Sequence, residues 1–351
     1  MTQQRFICRR QFLTSSAYAL TALTVGAVIP VSASCNTFDE STRKAVSGDN
    51  QCRKGERRPP SRVVSYTDAN AFGKGGHNVA RVQQLVNQSV AKMVGVKDAR
   101  EAFRSLFAPD DVVALKLNCL AGPKLSSSVS VVNAIVTNLR AIGIPFENII
   151  LFERSTVEMT RVGFPRDLVG KSGPRCYGND EAGYHRELTF SGDIGSLFSN
   201  VVANQATAII NVPVLKDHDL SGVGCGMKNM FGVIHNPNKY HDNNCDPYVA
   251  DVCAHPYVKQ KLKLTVADGL TAQYHGGPAG NLTYQKREGR LLVSTDPVAL
   301  DATAGQWIEE QRKRAGLASL TESKRAPRWL RTASKKGLGE HRLDRIELME
   351  R

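Results

Sequence analysis

Hydrophobic and polar positions alternate between two periods along most of the chain. Short apolar or β-branched runs predict strands at residues 62–66, 111–117, 148–152, 207–212, 261–267 and 289–294. Apolar residues at helical spacing predict helices at 78–94, 98–107, 126–142, 196–204 and 298–314. Asp296 and Pro297 mark the start of the last helix, because Asp caps helices well and Pro is favoured at the first helical position.

The regular alternation of strands and helices defines the fold class. It predicts an α/β fold with a mainly parallel sheet flanked by helices, in a single domain over residues 61–351. One segment departs from the alternation, since residues 218–280 are rich in Gly, His and Asp. We expect this insert to form a lid or a subdomain.

The N-terminus carries the pattern of an export signal. Cys8-Arg9-Arg10-Gln11-Phe12-Leu13 resembles the twin-arginine motif, an arginine pair followed by a spacer and Phe-Leu. An uncharged stretch follows, and Val31-Ser32-Ala33 fits the small-residue cleavage rule. We therefore predict a twin-arginine signal peptide at 1–33, a polar lead-in at 34–60, a periplasmic location and the twin-arginine export machinery as a partner. An uncleaved N-terminal membrane anchor and a lipoprotein cut before Cys35 are the alternatives.

The charge balance is strongly basic. The chain has 46 Lys and Arg against 33 Asp and Glu, a net charge of +13 that usually indicates nucleic-acid binding. Cleavage would remove three arginines and leave +10 on a protein in a compartment without nucleic acid, which excludes that partner. A C-terminal run holds much of the surplus, and we interpret it as a solvated helical face rather than an anionic-membrane contact. The run consists of Arg312, Lys313, Arg314, Lys324, Arg325, Arg328, Arg331, Lys335 and Lys336.

Cysteine usage is informative because export would place the chain in an oxidising compartment. Cleavage leaves seven of the eight cysteines, an odd number, so at least one thiol should be free. Cys35 with Cys52, and Cys245 with Cys253, are close enough in sequence to pair. The sequence has no Cys-x-x-Cys-x-x-Cys run, and therefore no intrinsic ferredoxin-type cluster motif.

Nearly every predicted strand leads into a charged or hydrogen-bonding side chain. In open α/β sheets ligands bind beyond the carboxyl ends of the strands, so these residues should meet at one edge. The convergence predicts a site there. The strand-end residues are Lys116, Asn118, Glu153, Arg154, Lys216, Asp217, His218, Asp268 and Asp296.

The densest polar segment runs from Asn211 to Asn229. Its glycines would let backbone N–H groups approach an anion, and its lysines would supply positive charge. We predict an anion-binding set for a small anionic ligand, made of Lys116, Asn118, Lys216 and Asn229. The spacing matches neither a P-loop nor Gly-x-Gly-x-x-Gly. The alternative is that the glycines serve close packing and the lysines are ordinary surface residues.

Five of the eight histidines lie between residues 218 and 275, interleaved with aspartates. Imidazole and carboxylate together could hold zinc, iron or nickel, so a metal ion is one candidate cofactor. The candidate ligands are His218, His241 and Asp301. For each histidine a structural role is the alternative.

Several of these stretches, taken as a set, resemble the bacterial family described as domain of unknown function 362. The resemblance covers about residues 62–350 and implies an α/β fold. Members of that family are often fused to, or encoded beside, iron–sulfur ferredoxin modules, which implies redox or cofactor chemistry and a separate redox partner. No such module lies in this sequence. The matching stretches are 113–118, 211–218, 226–232, 268–269 with 277–278, 294–301 and 337–339.

A second resemblance concerns the order of three residues around the Gly-rich turn. His218, Lys228 and His241 stand much as in the nickel-pincer lactate racemases, where a lysine carries the cofactor covalently. That similarity would give Lys228 the same position, although the flanking glycine pattern departs from that family.

The residues together favour an exported α/β enzyme with its site at the carboxyl edge of the sheet. The candidate catalytic residues are His218, His241, Lys228 and Asp268, and an imidazole could act as general acid–base because it titrates near neutral pH. Asp268 and Asp301 would orient the site or complete a metal shell. The alternative is a non-catalytic periplasmic protein that binds or matures a ligand or metal without turnover.

Overall fold

A computed structural model describes residues 60–351 of the chain, and these residues belong to one compact unit. The predicted export signal, and the predicted lead-in up to residue 59, lie outside the described residues. Within 60–351, no helix combines the length and the apolar character that a membrane crossing requires.

The domain alternates strands and helices from end to end. The strands are β1 (Ser61–Thr67), β2 (Phe72–Gly73), β3 (Gly76–His77), β4 (Val113–Lys116), β5 (Ile149–Glu153), β6 (Arg175–Gly178), β7 (Thr189–Ser191), β8 (Ile194–Ser196), β9 (Ala208–Asn211), β10 (Val214–His218), β11 (Gly222–Val223), β12 (Leu262–Gln273), β13 (Gln285–Ser294) and β14 (Ile346–Glu350). The helices are α1 (Val79–Val94), α2 (Ala99–Leu106), α3 (Val129–Ala141), α4 (Thr156–Arg161), α5 (Asn179–Ala182), α6 (Gly226–Asn229), α7 (Tyr248–Ala254), α8 (Pro256–Lys259), α9 (Pro297–Arg314) and α10 (Trp329–Lys335).

Ten of the strands form one sheet, with the order β14-β1-β13-β12-β9-β4-β5-β6 and with β10 and β11 attached beside β12. The neighbours from β12 to β6 run parallel, as do β10 with β12 and β1 with β14. Strand β13 is antiparallel to both β1 and β12. The predicted α/β class with a mainly parallel sheet is confirmed.

Alternation within the central strands builds a core on each face of the sheet. In β4, Ala114 packs into one hydrophobic cluster while Val113 and Leu115 pack into the other, because successive side chains point to opposite faces. Helices α1, α2 and α3 supply residues to one cluster, and α6, α7, α9 and α10 supply the other. Both faces of the central strands are therefore buried, as in other parallel sheets.

The structure extends two of the predicted strands and divides one predicted helix. Strand β13 begins at Gln285 instead of residue 289. Strand β12 does not stop before Asp268-Gly269 but continues to Gln273, and its pairing with β13 shifts register just after Gly269. A bulge of this kind keeps pairing while bending the strand. The predicted helix at 196–204 is instead the end of β8 and a single π-helical turn at Val201–Gln205.

The Gly/His/Asp-rich segment 218–280 is built into the main domain. It supplies β12, which lies in the middle of the sheet, and it contributes the fully buried Val223, Val249 and Val252 to the core. Other parts of it line a cavity, at Pro237, Asn238, His241 and Pro278. The lid or subdomain stays a prediction.

Two further expectations are corrected. Arg312 and Arg325, assigned to a solvated basic face, are 2% and 7% exposed, because both turn inward onto the imidazole of His275. Cys245 and Cys253 are buried free thiols and not a disulfide, since their sulfur atoms face different backbone carbonyls.

Candidate functional site

A small cavity of about 200 Å³ lies beyond the carboxyl ends of β4, β5 and β10. Strand β4 delivers Lys116 and Asn118 to this edge, β5 delivers Glu153, and β10 delivers Lys216 and His218. The polar residues lining the cavity include Asn118, Glu153, Lys216, His218, Lys228 and His241.

One end of the cavity is charge-balanced. The ammonium group of Lys116, which is completely buried, donates to Glu153 Oε1 at 2.9 Å and to the carbonyl of Leu117 at 2.6 Å. Asn229 Oδ1 accepts from Lys116 Nζ at 3.4 Å and from Asn118 Nδ2 at 3.0 Å. We call these four residues, Lys116, Asn118, Glu153 and Asn229, the balanced end.

Gly232 makes room for this ion pair. A Cβ atom at this position would lie 2.6 Å from Lys116 Cε and 2.7 Å from Lys116 Nζ. Real Cβ atoms essentially never make contacts shorter than 3.0 Å. A side chain here would therefore displace the buried ammonium group.

Lys216 reaches into the cavity from β10. Its ammonium group donates to Asn118 Oδ1 at 2.9 Å and to the carbonyl of Pro278 at 3.2 Å. Burial lowers the pKa of Lys216 to about 8, because an ammonium ion is poorly solvated there. Across residues 60–351, no carboxylate lies within ion-pair distance of this group.

Lys228 projects from the short helix α6 toward an imidazole. Its Nζ lies 3.2 Å from His241 Nε2 and 3.9 Å from the centre of the Phe231 ring. Burial lowers the pKa of Lys228 to about 8 as well. In the part of the chain that the structure describes, Lys228 has no carboxylate in ion-pair contact.

Burial favours the neutral form of both cavity histidines, and their hydrogen-bond partners bear on which ring nitrogen carries the proton. His241 Nδ1 lies 3.2 Å from the carbonyl of Pro237, so it carries the proton and leaves Nε2 as an acceptor for Lys228. Burial, reinforced by Lys228, lowers the pKa of His241.

His218 stacks beside His241 with the ring centres 5.6 Å apart. Its Nδ1 faces the backbone N–H groups of Leu220 at 3.1 Å and Ser221 at 3.4 Å, which need a lone pair there, and Asp219 Oδ1 at 2.9 Å, which needs a proton there. Burial lowers the pKa of His218 to about 2, so the neutral ring is the favoured form. We call Lys216, His218, Lys228 and His241 the cationic end.

Two predicted site residues lie apart from the cavity. Both oxygens of Asp301 accept backbone N–H groups, from Gly226 at 2.6 Å and from Met227 at 2.7 Å. Asp268 accepts from Ser128 N at 2.7 Å and from Leu270 N at 3.0 Å. Both carboxylates hold backbone in place, and neither is among the residues that line the cavity.

The predicted metal ligands do not form one group. His218 and His241 are neighbours, but Asp301 is committed to the start of α6. Over residues 60–351, no cluster of three or more His, Cys, Asp or Glu side chains is arranged to hold a metal ion. The described side chains therefore do not fit a metal site made of protein ligands alone.

The structure adds a group of residues that sequence reasoning did not connect. Arg325 donates to Asp217 Oδ2 at 3.0 Å, and Asp217 Oδ1 accepts from the N–H of Gly277 at 2.8 Å. This anchors the loop whose Pro278 carbonyl meets Lys216. The strand-end position of Asp217 was visible in the sequence, but its partner lies 108 residues away.

A second, larger groove of about 720 Å³ contains none of the predicted site residues. It lies where α3 begins and where β13 begins, next to the start of α1. The residues that line it include His77, Lys124, Ser126, Ser128, Lys286 and Arg287.

The described geometry defines an α/β protein with a cation-lined cavity at the carboxyl edge of its sheet. The family model described as Domain of unknown function (DUF362) matches residues 113–306, and the chain belongs to this family. The match spans both ends of the small cavity. No curated protein matches the chain.

Proposed function

We propose that the protein is an exported enzyme that binds a small organic anion in the small cavity and moves a proton on it. The observation that carries this proposal is the cationic end: two buried ammonium groups, without carboxylate partners among the described residues, beside two neutral imidazoles. Strongly shifted pKa values in a cleft are typical of functional sites, since they match acid–base groups to their task.

An anionic ligand follows from the charge balance. Lys116 has its counter-ion in Glu153, whereas Lys216 and Lys228 have none among the described residues. A buried charge without a partner is costly, and a bound carboxylate or phosphate would provide that partner. The cavity of about 200 Å³ limits the ligand to a small molecule.

Proton transfer is proposed from the two adjacent imidazoles. His241 presents a lone pair at Nε2 that Lys228 contacts at 3.2 Å, and His218, whose Nδ1 faces the N–H groups of Leu220 and Ser221, would present an N–H at Nε2. A donor and an acceptor would then lie side by side, with Lys228 able to give a proton to the acceptor or to take one from it. This is the arrangement that general acid–base chemistry requires.

Export is part of the proposal and is supported by Arg9-Arg10 and by the small residues before Ala33. Replacing both arginines by lysine should retain the protein inside the cell, as fractionation and immunoblotting would show. Export that is unaffected by this change would refute the twin-arginine route.

The similarity to nickel-pincer lactate racemases remains a prediction. The three residues that carry it, His218, Lys228 and His241, lie together in the small cavity. The proposed proton transfer involves no metal ion. Redox chemistry with a separate partner stays a prediction.

Binding and turnover can be tested separately. Calorimetric titration with a panel of small carboxylates should find a saturable ligand, whose binding Lys228→Gln weakens about tenfold or more, as for a lost charged contact. Lys313→Gln, which changes an exposed lysine, is the charge-matched control.

Turnover is read by incorporation of solvent deuterium into the bound acid, followed by NMR. His218→Gln and His241→Gln should abolish the deuterium incorporation while the variants still bind the acid. Saturable binding with no exchange in the unmodified protein would instead favour the non-catalytic binding protein. Absence of any saturable anion would refute both.

A further inference from the structure

We propose that the larger groove is a second binding site, separate from the small cavity, for a phosphorylated organic molecule. Its volume of about 720 Å³ lies within the range of sites for drug-sized ligands and cofactors. The small cavity has about 200 Å³, so the two sites would take ligands of different size.

The lining of the groove has one sign of charge. His77, Lys124, Lys286 and Arg287 contribute basic side chains, and among the described lining residues there is no aspartate or glutamate. A cleft lined by one sign of charge concentrates ligands of the opposite sign. The ligand should therefore be an anion.

Two of these cations are available to a ligand. Lys124 is exposed and has no ion-pair partner within residues 60–351. The guanidinium of Arg287 stacks 4.0 Å from the centre of the Phe72 ring, which fixes its position without neutralising it. Lys286 is less available, because it donates to Gln311 at 2.8 Å and lies 3.3 Å from Glu288.

The groove also offers backbone donors suited to a phosphate. The hydroxyls of Ser126 and Ser127 already donate to the carbonyls of Gly122 and Val212, so the donors that count are the backbone N–H groups where the 13-residue helix α3 begins. The side chain of Ser128 makes no capping hydrogen bond, so the first N–H groups of α3 remain open to a ligand. These donors add to the cationic lining and do not stand alone.

Part of the groove is lined by apolar side chains. Val79, Leu125, Val162 and Leu282 line it, and Val79 and Leu282 are 64% and 63% exposed. A free inorganic ion would leave these side chains in water. A molecule with a phosphate at one end and an apolar body would cover them and pair with the cations.

The groove and the small cavity share one wall. Ser127 lines the groove, and its hydroxyl accepts from the backbone N–H of Asn118 at 2.8 Å and donates to the carbonyl of Val212 at 2.6 Å. Asn118 lines the small cavity. The two sites are thus adjacent, although the groove proposal does not depend on the function proposed for the cavity.

The test uses 1-naphthyl phosphate as the probe, with 1-naphthol and inorganic phosphate as partial probes, in calorimetric titrations of the full chain. We expect saturable binding of the complete probe and weaker binding of both parts. The double variant Lys124→Gln/Arg287→Gln should weaken it about tenfold or more, as for lost charge-assisted contacts.

Two comparison variants distinguish binding in the groove from a general charge effect and from binding in the small cavity. Lys313→Gln/Arg314→Gln removes the same charge from the exposed end of α9 and should change the affinity less than about twofold, since surface charges far from a ligand are screened. Lys228→Gln alters the small cavity and should leave the binding intact. Equal weakening in the α9 variant, weakening confined to Lys228→Gln, or absence of saturable binding would each overturn the proposal.

Discussion

Each end of the small cavity holds buried lysine, and the two ends differ in how the charge of that lysine is satisfied. At the balanced end, the ammonium group of Lys116 meets Glu153 at 2.9 Å and is enclosed completely. At the cationic end, the contacts of the Lys228 ammonium group within residues 60–351 are with the neutral His241 and an aromatic ring. A buried lysine with a counter-ion holds the site together, whereas a buried lysine without one is poised for a ligand.

The largest expected effect is on the balanced end. Lys116→Met leaves the Glu153 carboxylate buried without its partner and should lower the free energy of unfolding by about 3–5 kcal/mol. Urea denaturation measures this loss. The double variant Lys116→Met/Glu153→Gln removes the orphaned charge and should recover a substantial part of it. A single variant with nearly unchanged stability would show that the ion pair does not hold this end together.

Asp301 provides a buried anion for comparison with the buried cations. Asp301→Asn replaces one of two acceptor oxygens and should cost about 1–3 kcal/mol, because one backbone N–H loses its partner. Burial raises the pKa of Asp301 from the ordinary value of 3.8 to about 7. The folded state therefore holds a proton between those values that the unfolded state has released.

The sign of the pH dependence follows from this difference. The contribution of Asp301 to stability is fully present at low pH and declines as the pH rises toward 7. The cost of Asp301→Asn, measured by urea denaturation, should thus be larger at pH 5 than at pH 8. The opposite trend would mean that the two N–H donors outweigh burial.

The next prediction concerns anion binding at the cationic end. The pKa values of Lys216 and Lys228 are lowered to about 8, so both are charged at neutral pH. Affinity for the small anion should be level below that pH and fall above it, by up to about tenfold per pH unit for each lysine that must be protonated. Lys228→Arg should shift the fall to higher pH, since arginine stays charged. A profile identical to that of the unmodified protein would exclude Lys228 from the binding step.

The smallest effect on stability is expected for the loss of Lys228 at the cationic end. Lys228→Met removes an ammonium group that has no counter-ion in the described part of the chain, so the free energy of unfolding should change by less than about 1 kcal/mol or increase. The same substitution at Lys116 is the matched control. If Lys228→Met destabilised the protein as much as Lys116→Met, the difference between the two ends would not exist.

The sequence identifies the sheet because local patterns determine most of it. The buried runs before Lys116 and Asn211 are found as β4 and β9, and the N-cap Asp296 starts α9 as expected. Strand-end reasoning also brings Lys116, Asn118, Lys216 and His218 to one edge. These features depend on residues that are close together in the chain.

Features that depend on distant partners could not be predicted in the same way. Asp268-Gly269 is a common turn pair, and only pairing with β13 converts it into a bulge. Arg325 looks like part of a solvated basic run until Asp217 is placed beside it. Asp301 looks like a free carboxylate on α9, but the start of α6 occupies both its oxygens.

Gly232 gives the family a test that needs no experiment on this protein. Because a Cβ at this position would lie 2.7 Å from Lys116 Nζ and 3.3 Å from Glu153 Oε1, a side chain there would require the end of Lys116 to move from its present place. We expect a relative with a side chain at the equivalent of Gly232 to place the lysine differently or to have lost the lysine, the glutamate or both. Lysine, glutamate and glycine at these three distant positions thus form one signature, by which relatives that keep the balanced end can be separated from those that have abandoned it.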